Sequence, residues 1–232
     1  MKNRPGGELA KRPLQFIWII DCSGSMAGKK IETVNFAVRE CIALMQSVAD
    51  ENPNAQVLVR VLCFSDNARW HVSQPTDIHD FKWTDLNADG VTDMGHALTE
   101  VAKALDVKNM PERGLPPVLV LMSDGQPTDD FNTGHKALMD QPWGKKSVRI
   151  AIAIGEDADE DILQKFTGNA ELLLRGRNAP ELVKRIKWAS TVPLKAASNP
   201  ASRTVEQSDT GHVPIPAPPQ DSVEPSSSDD CW

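Results

Sequence analysis

Asp21, Ser23 and Ser25 follow directly on the apolar run Leu14-Gln15-Phe16-Ile17-Trp18-Ile19-Ile20, so a carboxylate and two hydroxyls stand where a buried strand ends. Such oxygens are hard ligands that suit Mg²⁺ or Mn²⁺, ions that prefer oxygen shells and keep some of their waters. Two further segments offer the same chemistry. Thr92 lies in Gly90-Val91-Thr92 ahead of a helical pattern, and Asp124 lies in Ser123-Asp124-Gly125 after the apolar run Val118 to Met122. Asp21, Ser23, Ser25, Thr92 and Asp124 are therefore the candidate metal ligands. Each also has a plainer reading, because Asp, Ser and Thr are preferred helix N-caps and Asp124-Gly125-Gln126-Pro127 reads as a turn. Caps alone give no reason for Asp124 after a third strand.

The elements that must position these residues are legible as periodicities. Ile31, Val34, Val38, Cys41, Ile42, Met45 and Val48 predict a long amphipathic helix from Lys29 to Asp50, stopped by Asn52-Pro53-Asn54. Val57 to Phe64 is apolar on both faces apart from Arg60, the pattern of a strand covered by helices, and Trp70-His71-Val72 reads as a short edge strand. Met94, Ala97, Leu98, Val101, Ala102 and Leu105 predict a second helix ending before Pro111. Pro117 to Met122 and Val148 to Ile154 read as strands, with a weaker helix around Asn132 to Met139 between them. Leu172-Leu173-Leu174 reads as the last strand and Ala179 to Ala189 as the final helix. This alternation predicts an α/β fold, a three-layer, doubly wound and mostly parallel sheet flanked by helices, with ligand sites at the carboxyl ends of strands. There the three loops converge without any residue leaving its natural position.

Composition bounds the rest. The chain has 232 residues, 40% of them hydrophobic and 25% charged, with a formal charge of −7. That suits one medium domain and lacks the basic excess that phosphate backbones attract, so no nucleic-acid partner is expected. No stretch approaches the ~20 apolar residues of a membrane helix, so no membrane association and a cytoplasmic location are expected. Cys22, Cys41, Cys63 and Cys231 form no Cys-x-x-Cys pair, and the first three fall in apolar segments, as buried reduced thiols do. The five histidines read as surface or loop residues without metal-ligand pairing. Trp70 and Trp83 read as core; Trp143, between Pro142 and Gly144, reads as a loop residue.

Residues 1–12 read as an N-terminal extension and 13–190 as the folded domain. Residues 191–232 hold seven of the seventeen prolines and clustered serines, and their acidic residues exceed the basic ones by four. This acidic Pro/Ser-rich tail is expected to be disordered. Pro214, Pro216, Pro218 and Pro219 form a short proline-rich segment within it, and a docking role for the tail is one alternative function.

Asp21-x-Ser23-x-Ser25, Gly90-x-Thr92 and Ser123-Asp124-Gly125, in that order, resemble the metal-ion-dependent adhesion site of von Willebrand factor type A domains, with matching element order over about residues 13 to 190. Within that family the chain is most similar to the bacterial TerY-like proteins associated with tellurium resistance, through Ile19-Ile20-Asp21-Cys22-Ser23-Gly24-Ser25-Met26, Phe64-Ser65-Asp66 and Trp83. The resemblance implies that Ser23, Ser25 and Thr92 supply hydroxyls to Mg²⁺ or Mn²⁺, while Asp21 and Asp124 act directly or through water. It implies a protein-binding module whose partner completes the metal shell with an Asp or Glu. It further implies partners in a bacterial stress or phage-defence circuit, a protein kinase and a metal-dependent Ser/Thr phosphatase. An enzyme is the alternative, since two carboxylates and a divalent ion suit phosphoryl transfer or hydrolysis. The chain carries no Gly-x-x-x-x-Gly-Lys-Ser/Thr loop and no Gly-x-Ser-x-Gly elbow, and the residue two beyond Asp21 is Ser23 rather than a second Asp. The expectation is a non-enzymatic adaptor.

Overall fold

Leu14 to Ile20 are buried on both faces, which only a central strand between two helical layers allows. In the computed structural model, which describes residues 11–52, 54–156, 158–198 and 215–219, this segment is β1 (Arg12–Asp21). β1 pairs in parallel with β2 (Ala55–Phe64) on one side and with β4 (Val118–Ser123) on the other. β3 (Ala68–Asp77) is an antiparallel edge strand on β2; Pro75 lies in it, as an edge permits, and the pairing shifts register near Val61. The sheet continues from β4 to β5 (Val148–Ile154) and β6 (Leu173–Gly176), all parallel, in the order β3-β2-β1-β4-β5-β6. The strand order reverses between β1 and β4, where a doubly wound sheet opens a crevice at its carboxyl edge.

Alternating residues of β1 feed two cores. Phe16, Trp18 and Ile20 face α1 (Lys29–Asp50) and α6 (Ala179–Ser198). Ile17 and Ile19 face α2 (Met94–Ala104), α3 (Phe131–Asp140) and α5 (Glu160–Thr167). The result is the three-layer α/β architecture that the sequence predicts. The buried Trp18 indole N–H donates to Ser190 Oγ at 3.3 Å, tying α6 to the central strand.

Several elements differ from expectation. The edge strand spans ten residues rather than three, and two helices escape the periodicity: α4 (Pro142–Lys146), which carries Trp143, and α5. α5 is short, but Asp159 caps it by accepting from the Ile162 amide, and Leu163 and Phe166 bury one side. α6 runs through Pro193 to Ser198, well past Ser190, because Leu194 and Ala197 extend its buried stripe. Tail residues 191–198 thus belong to α6 and Ile215 to Pro219 pack on the domain, while 199–214 and 220–232, with Cys231, lie outside the described residues. Cys22, Cys41 and Cys63 are free and buried; burial pushes the Cys41 thiol up to about 12. Trp70, Trp83 and Trp143 pack against the cores, and Phe131 is part of one. His96 and His135 lie on helices rather than loops. Among the described residues no helix is long and apolar enough to cross a membrane.

Candidate metal centre

Three loops meet above the carboxyl ends of β1 and β4, stitched together by their backbones. The Gly24 amide donates to Gly90 O (2.9 Å) and the Asp89 amide to Cys22 O (2.8 Å), joining the first loop to the second. The Thr128 amide donates to Thr92 O (2.9 Å), and the Thr92 amide donates to Thr128 Oγ1 (3.1 Å), joining the second to the third. Gly90 sits at φ +87°, where a side chain would be strained and would strike the Asp66 carboxylate. Beneath these loops α2 and α3 touch backbone to backbone: a side-chain carbon on Gly134 would come within 2.0 Å of Gly95 O.

Four of the five predicted residues are joined by hydrogen bonds here, and Thr92 lies beside them. Asp21 is fully buried; its Oδ1 accepts from the Ser23 amide (2.9 Å) and its Oδ2 from Ser123 Oγ. Ser23 Oγ lies 3.0 Å from Ser25 Oγ, which donates to Asp124 Oδ1 at 2.8 Å. The Thr92 hydroxyl comes to the same place from the second loop. A side-chain carbon placed on Gly125 would lie 3.6 Å from Thr92 Oγ1 and 3.8 Å from Ser25 Oγ, so both hydroxyls face one small space kept open by the missing side chain.

Neither Ser23 nor Thr92 caps a helix. α1 starts after Gly28 without a side-chain cap, while the Gly95 and His96 amides at the start of α2 donate to the Asp129 carboxylate at 2.8 and 2.7 Å. The plainer capping role at α2 therefore belongs to Asp129, which leaves the Thr92 hydroxyl for other work.

Electrostatics complete the picture. Burial pushes the Asp21 carboxyl above the ordinary aspartate range, hydrogen bonds from Ser123 and Ser23 pull it back, and nearby Asp124 pushes it up again. The partners of Asp21 are neutral donors. Asp124, 1% exposed at its side chain, has a cation: Lys30 Nζ is 2.6 Å from its Oδ2. Lys30 balances one of the two buried carboxylates, and Asp66 and Asp129 beside the same loops add to a negative field that a divalent cation would offset. Among the described residues no group of three or more His, Cys, Asp or Glu side chains could hold a metal ion, so an ion here would depend on the hydroxyls. The donor set, oxygen only and rich in neutral oxygens, fits a hard divalent ion.

The von Willebrand factor type A domain family model matches residues 17–182. This chain belongs to that family. Among solved structures, proximal thread matrix protein 1 from the mussel byssus aligns with a TM-score of 0.61 and 17% identity over 79% of this chain and 49% of its own. A second structure of the mussel protein, described as having a zinc occupied MIDAS motif, aligns at 0.59 and 17%, over 81% and 47%. The ArnB paralog VWA2 from Sulfolobus acidocaldarius aligns at 0.56 and 17%, over 77% and 45%. This chain thus spans about half the length of these proteins or less, and at such identities the likeness is one of fold. Among curated proteins nothing matches significantly.

Within this von Willebrand factor type A domain four contributors escaped the reading of ligand types. Ser123 fixes Asp21, Thr128 and Asp129 fix Thr92 and the start of α2, and Lys30 neutralises Asp124. Lys30 left a signal: a cation in the first turn of a helix opposes the helix dipole and needs an anion nearby.

Proposed function

We propose that this domain is a non-catalytic, metal-dependent protein-binding module. Asp21, Ser23, Ser25, Thr92 and Asp124 would hold Mg²⁺ or Mn²⁺, and the bound ion would accept an Asp or Glu carboxylate from a protein partner. The carrying observation is the convergence of the Ser23, Ser25 and Thr92 hydroxyls beside two buried carboxylates of which Lys30 balances one, so a dication would be held by hard oxygens and could still take an incoming carboxylate. The zinc-occupied site of the mussel relative supports a divalent ion at this place in the fold. The hard oxygen set here favours Mg²⁺ or Mn²⁺ over zinc.

A binding role also suits the rigidity of Asp21, which two hydrogen bonds hold in the floor of the site. The similarity to TerY-like sequences extends the reading to a cytoplasmic bacterial stress or phage-defence circuit in which a protein kinase and a metal-dependent Ser/Thr phosphatase are the partners. Co-purification from the native cell with and without a chelator tests all of this together. Partners should be retained with Mg²⁺ and lost on chelation, and a chain carrying Asp21→Ala with Ser23→Ala should retain none. Full retention by that variant would falsify a metal-bridged contact.

A further inference from the structure

The opposite end of the sheet carries a second site. A groove opens where β5 begins, between Lys145 to Arg149 on one wall and Thr167 to Asn169, Glu171 and Leu172 on the other; residues 215–218 lie along it, and a cavity of about 490 Å³ stays open beside them. With a rise of roughly 3.3 Å per residue, the six residues of β4 put this groove about 17–20 Å from the metal loops. Its wall is prebuilt. Arg149 Nε donates to Phe166 O (2.8 Å) and its Nη1 to Gly144 O (3.0 Å), locking the start of β5 to the end of α5 and to α4.

The segment Ile215-Pro216-Ala217-Pro218-Pro219 is seated along it. Ile215, Pro218 and Pro219 turn partly inward while Pro216 and Ala217 are exposed, which follows the three-residue turn of a polyproline helix. Ile215 packs on the same core as Leu172 and Leu174. Pro218 spans the junction with a neighbouring cavity of about 250 Å³, and Arg185 Nη1 donates to Pro219 O while its Nε donates to Arg175 O at 3.1 Å. The chemistry of the two surfaces is complementary. Three prolines leave the segment with carbonyl acceptors and few amide donors; Arg185 meets one of those carbonyls, and Lys145 and Lys146 add cations to the groove's rim.

We propose that this groove is a peptide-binding site for short proline-rich segments, separate from the metal centre, and that residues 215–219 are its tethered occupant. Because the segment belongs to the same chain, it competes in cis, and its seat opens to a second peptide only when the resident segment is weakened.

The test uses the full chain and a fluorescein-labelled peptide covering Val213 to Gln220. Ile215→Asp should bind the peptide saturably and at least about tenfold more tightly than the unaltered chain, in which the tethered segment competes. Binding to Ile215→Asp should protect the amides of Thr167 to Leu172 from hydrogen exchange and should not change on chelation. Should Ile215→Asp fail to fold by circular dichroism, Pro218→Gly serves the same purpose. No saturable binding by a folded variant, equal binding by variant and unaltered chain, or protection elsewhere would each overturn the proposal. Loss of peptide on chelation would move the peptide to the metal loops and also overturn it; failure of the metal reading alone leaves these outcomes unchanged.

Discussion

The two ends of the β-sheet make contacts by opposite means. At the carboxyl end, oxygens from three loops far apart in sequence converge on one small space, and hydrogen bonds between the loops hold them there. At the amino end, one continuous segment, 215–219, lies along a groove through Ile215 packing and a hydrogen bond from Arg185 to Pro219 O. The first end depends on geometry fixed by the fold, and the second on occupancy that the chain itself supplies.

Substitutions should separate the two ends. The largest effect belongs to Gly134→Ala, since its new carbon would meet Gly95 backbone oxygen at 2.0 Å and force α3 off α2. Overpacking of this kind should destabilise the fold by about 3 kcal/mol, a fall of roughly 6–12 °C in Tm, measurable by calorimetry. Gly125→Ala should do the reverse. Its carbon makes only ordinary contacts at 3.6 and 3.8 Å, so the unliganded fold stays intact while the space between Thr92 and Ser25 is filled. The thermal gain produced by Mg²⁺ at a hundred times its Kd, about 2.7 kcal/mol in the unaltered chain, should vanish, and peptide binding at the opposite groove should not change. A retained Mg²⁺ gain in that variant would break the comparison.

The smallest effect sharpens the charge argument. Lys30→Met removes the cation that faces Asp124, so titration calorimetry should find Mg²⁺ bound about tenfold more tightly, or about 1.4 kcal/mol. The same variant should hold acidic partners less well, because the loaded site would then be less positive by one charge. Unchanged Mg²⁺ affinity would mean that Lys30 does not balance Asp124.

Much of the carboxyl end was readable because strands and helices fix where their ends fall. Leu14 to Ile20, apolar on both faces, specified a central strand, and Asp21 had to stand at its tip. The Lys29 to Asp50 stripe and the Met94 to Leu105 stripe located the two following helices nearly to the residue. The partners of those tips were harder to read, since Ser123, Thr128 and Lys30 act through contacts between loops that spacing does not encode. Short elements such as α5 also escaped, having too few turns to establish a period. The groove at the other end was illegible for a different reason. It joins α4, the start of β5, the end of α5 and a segment beyond α6, and only the folded chain brings these together.

The lateral borders of the sheet have a consequence of their own. β3 carries Pro75 and a shifted register, and β6 is only four residues long, so neither flank offers a long regular ladder for another chain to extend. Sideways growth of the sheet into ribbons by strand addition is thereby discouraged, so the border strands act as stops that keep each sheet at six strands.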